Sequence, residues 1–353
     1  MSSVTPNELL SREQLADLQT VSIQRLEAGS QEEQHLLFQI CKDHGFFYLD
    51  LTHEDYKPLL SHVDAVFDLS KSLFEYPAEV KNLFDVDAVS DLKVNGYKPK
   101  GRNVVAKNGR SDGFESWVLP RNGVLQVSQE SFPHPPAVAS HMLSIRNIMA
   151  GLGSAAHTIL SSLSDSLSMP AGRRLDDFQR QGRPSPDILR LLKYHADSDP
   201  SCVPQTPHTD LGSLTFVFAS DPGLQVLPAG ATDGSAEWKY VAPRAGHAIV
   251  NIGDCVSILT GGVLKSALHR VGPVAGRAMP ERYSLAYLMR PEDHTPLRAL
   301  ESPLVPRQEV EEGTVSAVLT SGDWIRRKFE ALRGTQNAGD FDGILTGGRG
   351  VLV

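Results

Sequence analysis

His208-Thr209-Asp210-Leu211-Gly212-Ser213-Leu214-Thr215-Phe216-Val217-Phe218 places a His and an Asp two positions apart at the head of an apolar, β-type run. Alternate residues of a strand point to the same side, so such a pair can share one metal ion. The His-x-Asp pattern occurs at His53/Asp55, His62/Asp64, His195/Asp197 and His208/Asp210, where chance gives about one occurrence. Context separates the four. His62/Asp64 falls in a helical segment, where residues two apart diverge. His53/Asp55 sits at a strand-to-helix junction, and His195/Asp197 runs into the loop Ser198-Asp199-Pro200. The pair at 208 and 210 leads into a clear strand that continues to Phe218.

Outward from this run, the chain after Pro186 reads as short β-rich segments separated by Gly, Pro and Asp. They cover residues 189–194, 213–218, 224–227, 238–242, 247–251, 255–259, 267–271 and 282–289. Eight short strands at this spacing predict a sandwich or barrel, and eight is the strand count of a jelly roll. The front half reads as helices. Ser30-Gln31-Glu32-Glu33 has the form of a capping box, followed by Leu36, Leu37, Ile40 and Cys41 on one face and closed near Gly45. Residues 46–51 then form a strand, and apolar residues recur with a period near 3.6 over 137–168, predicting one long amphipathic helix that scaffolds the sheet. Residues 85–135 are loop-rich and yield no firm element. A short helix returns around 324–332, before a Gly-rich tail expected to be disordered. The chain is therefore read as one integrated domain: helical cladding and a substrate-side segment over 1–185, the β core over 186–295, and a C-terminal helix and tail over 296–353.

A metal site needs a third ligand. His269, in Ala267-Leu268-His269-Arg270-Val271, completes a two-His, one-carboxylate set, which is the facial triad of non-haem iron(II) oxygenases. His247 is the rival for that place, and a packed core histidine is the plain alternative for His269. Downstream, Arg282 and Ser284 share a strand face and set a planar fork donor beside a hydroxyl, which suits a carboxylate. Thirteen positions separate His269 from Arg282, with Gly272-Pro273 and Gly276 for a turn, so the two are expected on paired strands of one sheet.

Composition narrows the partners. The 353 residues carry 34 Lys+Arg against 42 Asp+Glu, a formal charge of −8, with 12 His but 3 Cys. No basic stripe for a phosphate backbone is visible, which argues against nucleic acid. The cluster Arg326-Arg327-Lys328 reads as a solvated helix face. Cys41, Cys202 and Cys255 read as free thiols in a reducing compartment. The first thirty residues lack the apolar run of a signal peptide, and no stretch is long enough for a membrane span, so a cytoplasmic protein is expected.

These residues resemble the isopenicillin N synthase-like family of iron(II)/2-oxoglutarate-dependent dioxygenases. Beyond the 208–215 block, the resemblance rests on Gly223-Leu224-Gln225-Val226-Leu227, Val250-Asn251-Ile252-Gly253-Asp254, Lys265 to Val271, and Arg282-Tyr283-Ser284-Leu285. Weaker matches lie in Cys41 to Tyr48, Gly96-Tyr97 and Asp112-Gly113-Phe114-Glu115. The resemblance implies a mixed α/β fold with a double-stranded β-helix (jelly-roll, cupin-like) core, flanking N-terminal helices and a C-terminal helix. It implies Fe(II) held by His208, Asp210 and His269. It implies 2-oxoglutarate, with O2 as co-substrate, whose distal carboxylate meets Arg282 and Ser284 with help from Tyr194, and ascorbate as a supporting reductant.

The expected activity is oxidation of a small-molecule metabolite by hydroxylation, desaturation or rearrangement, in specialised natural-product biosynthesis, by a monomer or weak homo-oligomer. Asn95, Tyr97, Arg102, Phe114, Trp117 and Phe216 are expected to line the substrate pocket, from their place in the variable front segment or beside the triad. Three rivals stand beside this reading. One is an oxidase of the same fold that does not use 2-oxoglutarate. Another is a non-catalytic cupin-like binding module, and the third is a zinc hydrolase on the same ligands.

Overall fold

The computed structural model describes residues 10–91, 93–103, 111–129, 131–197, 199, 203–227, 237–274, 277–306, 318–333 and 341–346. Twelve strands occur among them: β1 Thr20–Ser22, β2 Phe46–Asp50, β3 Gly96–Lys98, β4 Phe114–Pro120, β5 Ile188–Tyr194, β6 Gln205–His208, β7 Leu214–Ala219, β8 Leu224–Val226, β9 Lys239–Tyr240, β10 His247–Ile252, β11 His269–Val271 and β12 Arg282–Leu288. They form an eight-stranded sheet in the order β1-β2-β10-β7-β12-β5-β4-β3 and a four-stranded sheet in the order β6-β11-β8-β9. All pairings between these strands are antiparallel except β1 with β2. Two sheets that exchange strands in this way are the jelly roll expected from the sequence.

The large sheet alternates faces with period two. Along β12, Arg282, Ser284, Ala286 and Leu288 line an internal cavity, while Leu285 and Tyr287 enter the main apolar core. On β5, Arg190, Leu192 and Tyr194 face the cavity, and Leu189 and Leu191 face the core. That core is built against helices. The described helices are α1 Ile23–Glu27, α2 Gln31–Asp43, α3 Lys57–Phe74, α4 Ala78–Asn82, α5 Val86–Val89, α6 Arg121–Leu125, α7 Pro136–Ser140, α8 Met142–Ser166, α9 Asp254–Leu259, α10 Ser321–Leu332 and α11 Phe341–Leu345. Helix α8 packs on α3 and α2, and α3 reaches β5 and β12.

The start of α2 forms half of the expected capping box. Ser30 Oγ accepts from the Glu33 amide, but the Glu33 carboxylate accepts instead from the Ser22 amide at 2.6 Å, tying α2 to the end of β1. At the far end Gly45 adopts φ +72° and a Cβ there would meet the Lys265 carbonyl oxygen at 2.0 Å, so only glycine fits this exit into β2.

Several expectations are corrected. Residues 255–259, read as a strand, are helix α9: Cys255, Val256 and Leu259 are the buried face of one turn and a half, and a short apolar run does not by itself distinguish strand from helix. The long helix over 137–168 is broken at His141, which leaves helical geometry and bonds the Ala137 carbonyl through Nδ1 at 2.9 Å. Residues 85–135, read as lacking firm elements, contribute β3 and β4 to the large sheet. In the basic cluster, Arg326 and Arg327 are exposed, but Lys328 is buried on the face of α10 shared with Ile325 and Ala331. The Gly-rich tail lies mostly outside the described residues, apart from α11 and Thr346.

Both described cysteines, Cys41 and Cys255, are buried and unpaired. Burial pushes the Cys255 thiol up to about 12, and raises Cys41 as well. Cys202 lies outside the described residues. No described helix is long and apolar enough to cross a membrane.

Candidate metal and 2-oxo acid site

His208 is the last residue of β6 and His269 the first of β11, and the two are direct partners in the antiparallel ladder. Paired residues of such a ladder project to the same face, which brings the imidazole centroids to 4.3 Å. Asp210 follows in the loop from β6 to β7, rather than on one continuous strand with His208 as expected; β7 begins at Leu214. The loop carries the chain from the small sheet to the large one. It is fixed by backbone bonds from Asp254 N to Asp210 O (2.7 Å), Gly253 N to Ser213 O (2.9 Å) and Ser213 N to Met289 O (2.7 Å). Its glycine is required by close approach, since a Cβ on Gly212 would lie 2.0 Å from the Met289 oxygen.

One ligating atom from each of His208, Asp210 and His269 lies within 4.8 Å of the others, and Asp210 Oδ1 is 3.9 Å from each Nε2. The donors fit a metal ion. Each imidazole uses Nδ1 on a backbone carbonyl, His208 on Thr206 at 2.8 Å and His269 on Ala267 at 3.1 Å, which leaves both Nε2 atoms facing the carboxylate. Asp210 Oδ2 accepts from Asn251 Nδ2 at 2.8 Å, leaving Oδ1 for the centre. Burial, then the neighbouring His269, holds the His208 imidazole far below its usual range, so it is a neutral donor at physiological pH. Burial alone would raise the Asp210 carboxyl, but His269, His208 and hydrogen bonds from Thr215 and Asn251 outweigh it and keep it ionised. The rival His247 lies elsewhere: its Nε2 is 3.9 Å from Asp50 and its ring meets Tyr48 edge-on.

Arg282, Ser284 and Tyr194 line the same cavity as the triad. His269 and Arg282 do not share a sheet, contrary to expectation: β11 belongs to the small sheet and β12 to the large one. The chain changes sheets between β11 and β12, and both side chains border one cavity; Gly276, one of the expected turn residues, lies outside the described residues. Arg282 is 1% exposed, its Nε donates to the Asp221 carbonyl at 2.9 Å, and its buried Nη1 has no partner among the described residues. An unsatisfied buried guanidinium nitrogen fits an anionic oxygen acceptor. Tyr194, the ladder partner of Arg282, donates its hydroxyl to Gln205 Oε1 at 2.5 Å, and Gln205 Nε2 lies 3.2 Å from His208 Nε2.

Of the six residues expected around the substrate, Phe114 lines this cavity and the other five are placed elsewhere. Strand parity is the reason for three. Tyr97, Trp117 and Phe216 lie on the opposite face of the large sheet, in the helix-side core. Asn95 is 4% exposed just before β3. Arg102 is held by Asp85 at 2.7 Å and by Asp87. Four residues with no role assigned from sequence reach the site: Asn251, Gln205, Arg190 and Lys328. Asn251 stands inside a block that carries the family resemblance, and Arg190 has the parity of Leu192 and Tyr194, so both carry a usable signal.

Tyr97 instead belongs to a buried polar cluster, donating to Glu115 at 2.6 Å beside Lys81 at 2.7 Å and His195 at 3.1 Å. Burial alone would raise the Glu115 carboxyl, but hydrogen bonds from His195, Lys81 and Tyr97 and the Lys81 charge bring it from 4.5 down to about 2. Protonation is therefore harder in the folded chain than in the unfolded one. Glu115 contributes stability above pH 4.5 that is lost as the pH falls toward about 2. Wild type is expected to lose more melting temperature than Glu115→Gln between about pH 5 and about pH 3; equal losses would show that this carboxylate does not carry the effect.

Comparison with known proteins agrees with this architecture. The sequence model of the 2OG-Fe(II) oxygenase superfamily matches residues 185–291, and that of the non-haem dioxygenase in morphine synthesis N-terminal region matches residues 15–133. The 2-oxoglutarate-dependent dioxygenase gloE of Glarea lozoyensis is 32% identical over 97% of this chain and 95% of its own length. The 2-oxoglutarate-dependent dioxygenase ecdG of Aspergillus rugulosus is 30% identical over 92% of this chain and 91% of its own. Among solved structures, a full-length Neurospora crassa protein crystallised in complex with alpha-KG superposes with a TM-score of 0.70 at 22% identity, covering 91% of this chain and 98% of that one.

Proposed function

The chain belongs to the 2OG-Fe(II) oxygenase superfamily, and from that premise we propose that His208, Asp210 and His269 hold Fe(II) while Arg282 and Ser284 hold the distal carboxylate of 2-oxoglutarate. The observation that carries this is the buried, unpartnered Arg282 Nη1 in the same cavity as the three convergent donors. When bound, iron and 2-oxoglutarate supply with O2 the oxidation of a substrate C–H bond, yielding succinate and CO2. The protein's own part is positioning and exclusion of water. His208 and Asp210 present an imidazole and a carboxylate already in the neutral and ionised forms a metal needs. Arg282 and Ser284 fix one end of the 2-oxo acid along a strand face. Tyr194 donates to Gln205, whose amide nitrogen lies beside His208 Nε2 and would give up that contact when the nitrogen's lone pair goes to the metal. Leu192, Val217, Ala286 and Leu288 give the cavity apolar walls.

The substrate is read as a small metabolite, in keeping with a cavity of ≈ 130 Å³, oxidised in specialised natural-product biosynthesis, with ascorbate as supporting reductant. A cytoplasmic monomer or weak homo-oligomer completes the reading. Arg282→Ala is expected to raise the 2-oxoglutarate concentration for half-maximal succinate formation roughly 10- to 100-fold, the size of a lost charge-assisted hydrogen bond. An unchanged requirement would show that Arg282 does not hold the 2-oxo acid, whereas substrate oxidation without 2-oxoglutarate and without succinate release would favour an oxidase that dispenses with it.

A further inference from the structure

The cavity has a second cationic end. Arg190 and Arg282 lie on adjacent strands, where Arg282 pairs with Tyr194 and Ala286 pairs with Arg190. Four residues of strand separate the two ladder positions, about 13 Å at 3.3 Å per residue, and along β5 between them Leu192 and Tyr194 share the cavity face with Arg190. Around the Arg190 end Arg290 also lines the cavity, donating through Nη1 to the Pro186 carbonyl at 2.6 Å and leaving its buried Nε without a partner among the described residues, while three further cations are matched by acids. Lys98 pairs with Asp112 at 2.6 Å, Lys93 with Asp87 at 3.3 Å and Arg333 with Asp87 at 2.9 Å. Arg190 makes no ion pair among the described residues. Its Nε donates to Ser116 Oγ at 3.2 Å, its charge lies 5.4 Å from the Phe114 ring centroid, and the residue lines the cavity.

A fork of N–H donors that lines an apolar cavity without a carboxylate partner is a site for an anionic oxygen pair. We propose that Arg190 is a specificity-determining residue that binds a carboxylate of the organic substrate, so that the enzyme acts on small, largely apolar carboxylic acids. This rests on the function proposed above, which assigns Arg282 to 2-oxoglutarate and leaves Arg190 for the second ligand. Burial lowers the Arg190 guanidinium from its ordinary value, with Tyr194 and Asp112 acting against that shift. A bound carboxylate would offset the same desolvation. The apolar span comes from Leu192, Ala286, Leu288, Phe329 and Leu332, which suit the hydrocarbon part of such an acid.

The test is anaerobic calorimetric titration of the full-length Fe(II) protein saturated with 2-oxoglutarate, so that Arg282 is already engaged. The probes are carboxylates and their matching primary amides, from hexanoate to dodecanoate and from benzoate to 4-phenylbutyrate. Wild type is expected to prefer at least some of the acids over their amides by about tenfold or more. Arg190→Gln should bring that ratio within about twofold of unity and Arg190→Lys should restore part of it, with 2-oxoglutarate affinity changed less than about twofold in both. A wild type without acid preference in any pair overturns the proposal, as does a preference that survives in Arg190→Gln. A tenfold loss of 2-oxoglutarate affinity in Arg190→Gln also overturns it, because Arg190 would then belong to the 2-oxo acid. Failure of wild type to bind 2-oxoglutarate is read separately and overturns the proposed function, together with the inference built on it.

Discussion

His269→Ala is expected to weaken Fe(II) binding by more than about 100-fold and to reduce succinate formation to background. The bound comes from magnitude: partners that merely orient a metal ligand cost about 10–100-fold when removed, and His269 would be a ligand itself. The same outcome is expected for His208→Ala and Asp210→Ala. Asn251→Ala, which removes the 2.8 Å bond to Asp210 Oδ2 but no proposed ligand, should fall in the range of about 10–100-fold and recover turnover at raised iron. The His269 side chain packs edge-on against Phe46 with centroids 5.5 Å apart, so melting of the metal-free variant must be measured alongside, to separate lost affinity from lost fold. Zinc provides a second arm. Two imidazoles and a carboxylate bind Zn(II) as readily as Fe(II), so affinity alone does not separate an oxygenase from a hydrolase. Turnover restored by Fe(II) and not by Zn(II) would. Wild-type iron affinity in His269→Ala would sink the triad assignment.

The legible part of this site is what short-range pattern encodes. His208 and Asp210 stand in one turn of chain, and the strand bearing Arg282 and Ser284 keeps its two side chains on one face, as period two requires. What spacing does not encode is which strands face one another. His269 and Arg282 are near in sequence yet lie in different sheets, so β12 is not the hairpin partner of β11. Most of the residues expected around the substrate lie off this cavity, three of them for a related reason. Trp117 and Phe216 are aromatic and belong to strands that border the site, but residue parity sends Thr215 and Val217 to the cavity and Phe216 to the core. Parity is available from the sequence, and applied to β5 it selects Arg190. The length of the β-type run 255–259 does not separate strand from helix, whereas the Gly253-Asp254 start, with no residue of high β propensity until Val256, is a hint toward α9.

Lys328→Met is expected to destabilise the protein by about 3–5 kcal/mol, the cost of leaving one member of a buried ion pair uncompensated. Lys328 Nζ lies 2.6 Å from Asp254 Oδ2, with the side chains 3% and 5% exposed. It also donates to the Thr209 carbonyl and hydroxyl at 3.0 and 2.9 Å and to the Leu345 carbonyl at 3.3 Å. The substitution keeps most of the side-chain volume, so the loss is electrostatic: Asp254 would retain its bond from Ser266 at 2.7 Å but no cation. Combining Lys328→Met with Asp254→Asn should therefore recover part of the loss, a coupling that a double-mutant cycle measures directly. The second consequence concerns the metal. Thr209 sits between His208 and Asp210, and its amide donates to Leu345 O at 2.9 Å, so the ammonium pins α10 and α11 to the backbone between two proposed ligands. Releasing it should lower Fe(II) affinity about 10- to 100-fold, as for other groups that orient ligands, and loosen Phe329 and Leu332 at the Arg190 end of the cavity. Denaturant melts and iron titrations on the same preparations separate the two effects. A stability change below about 1 kcal/mol with no coupling to Asp254→Asn would mean that the C-terminal helices rest on the barrel through apolar contact alone.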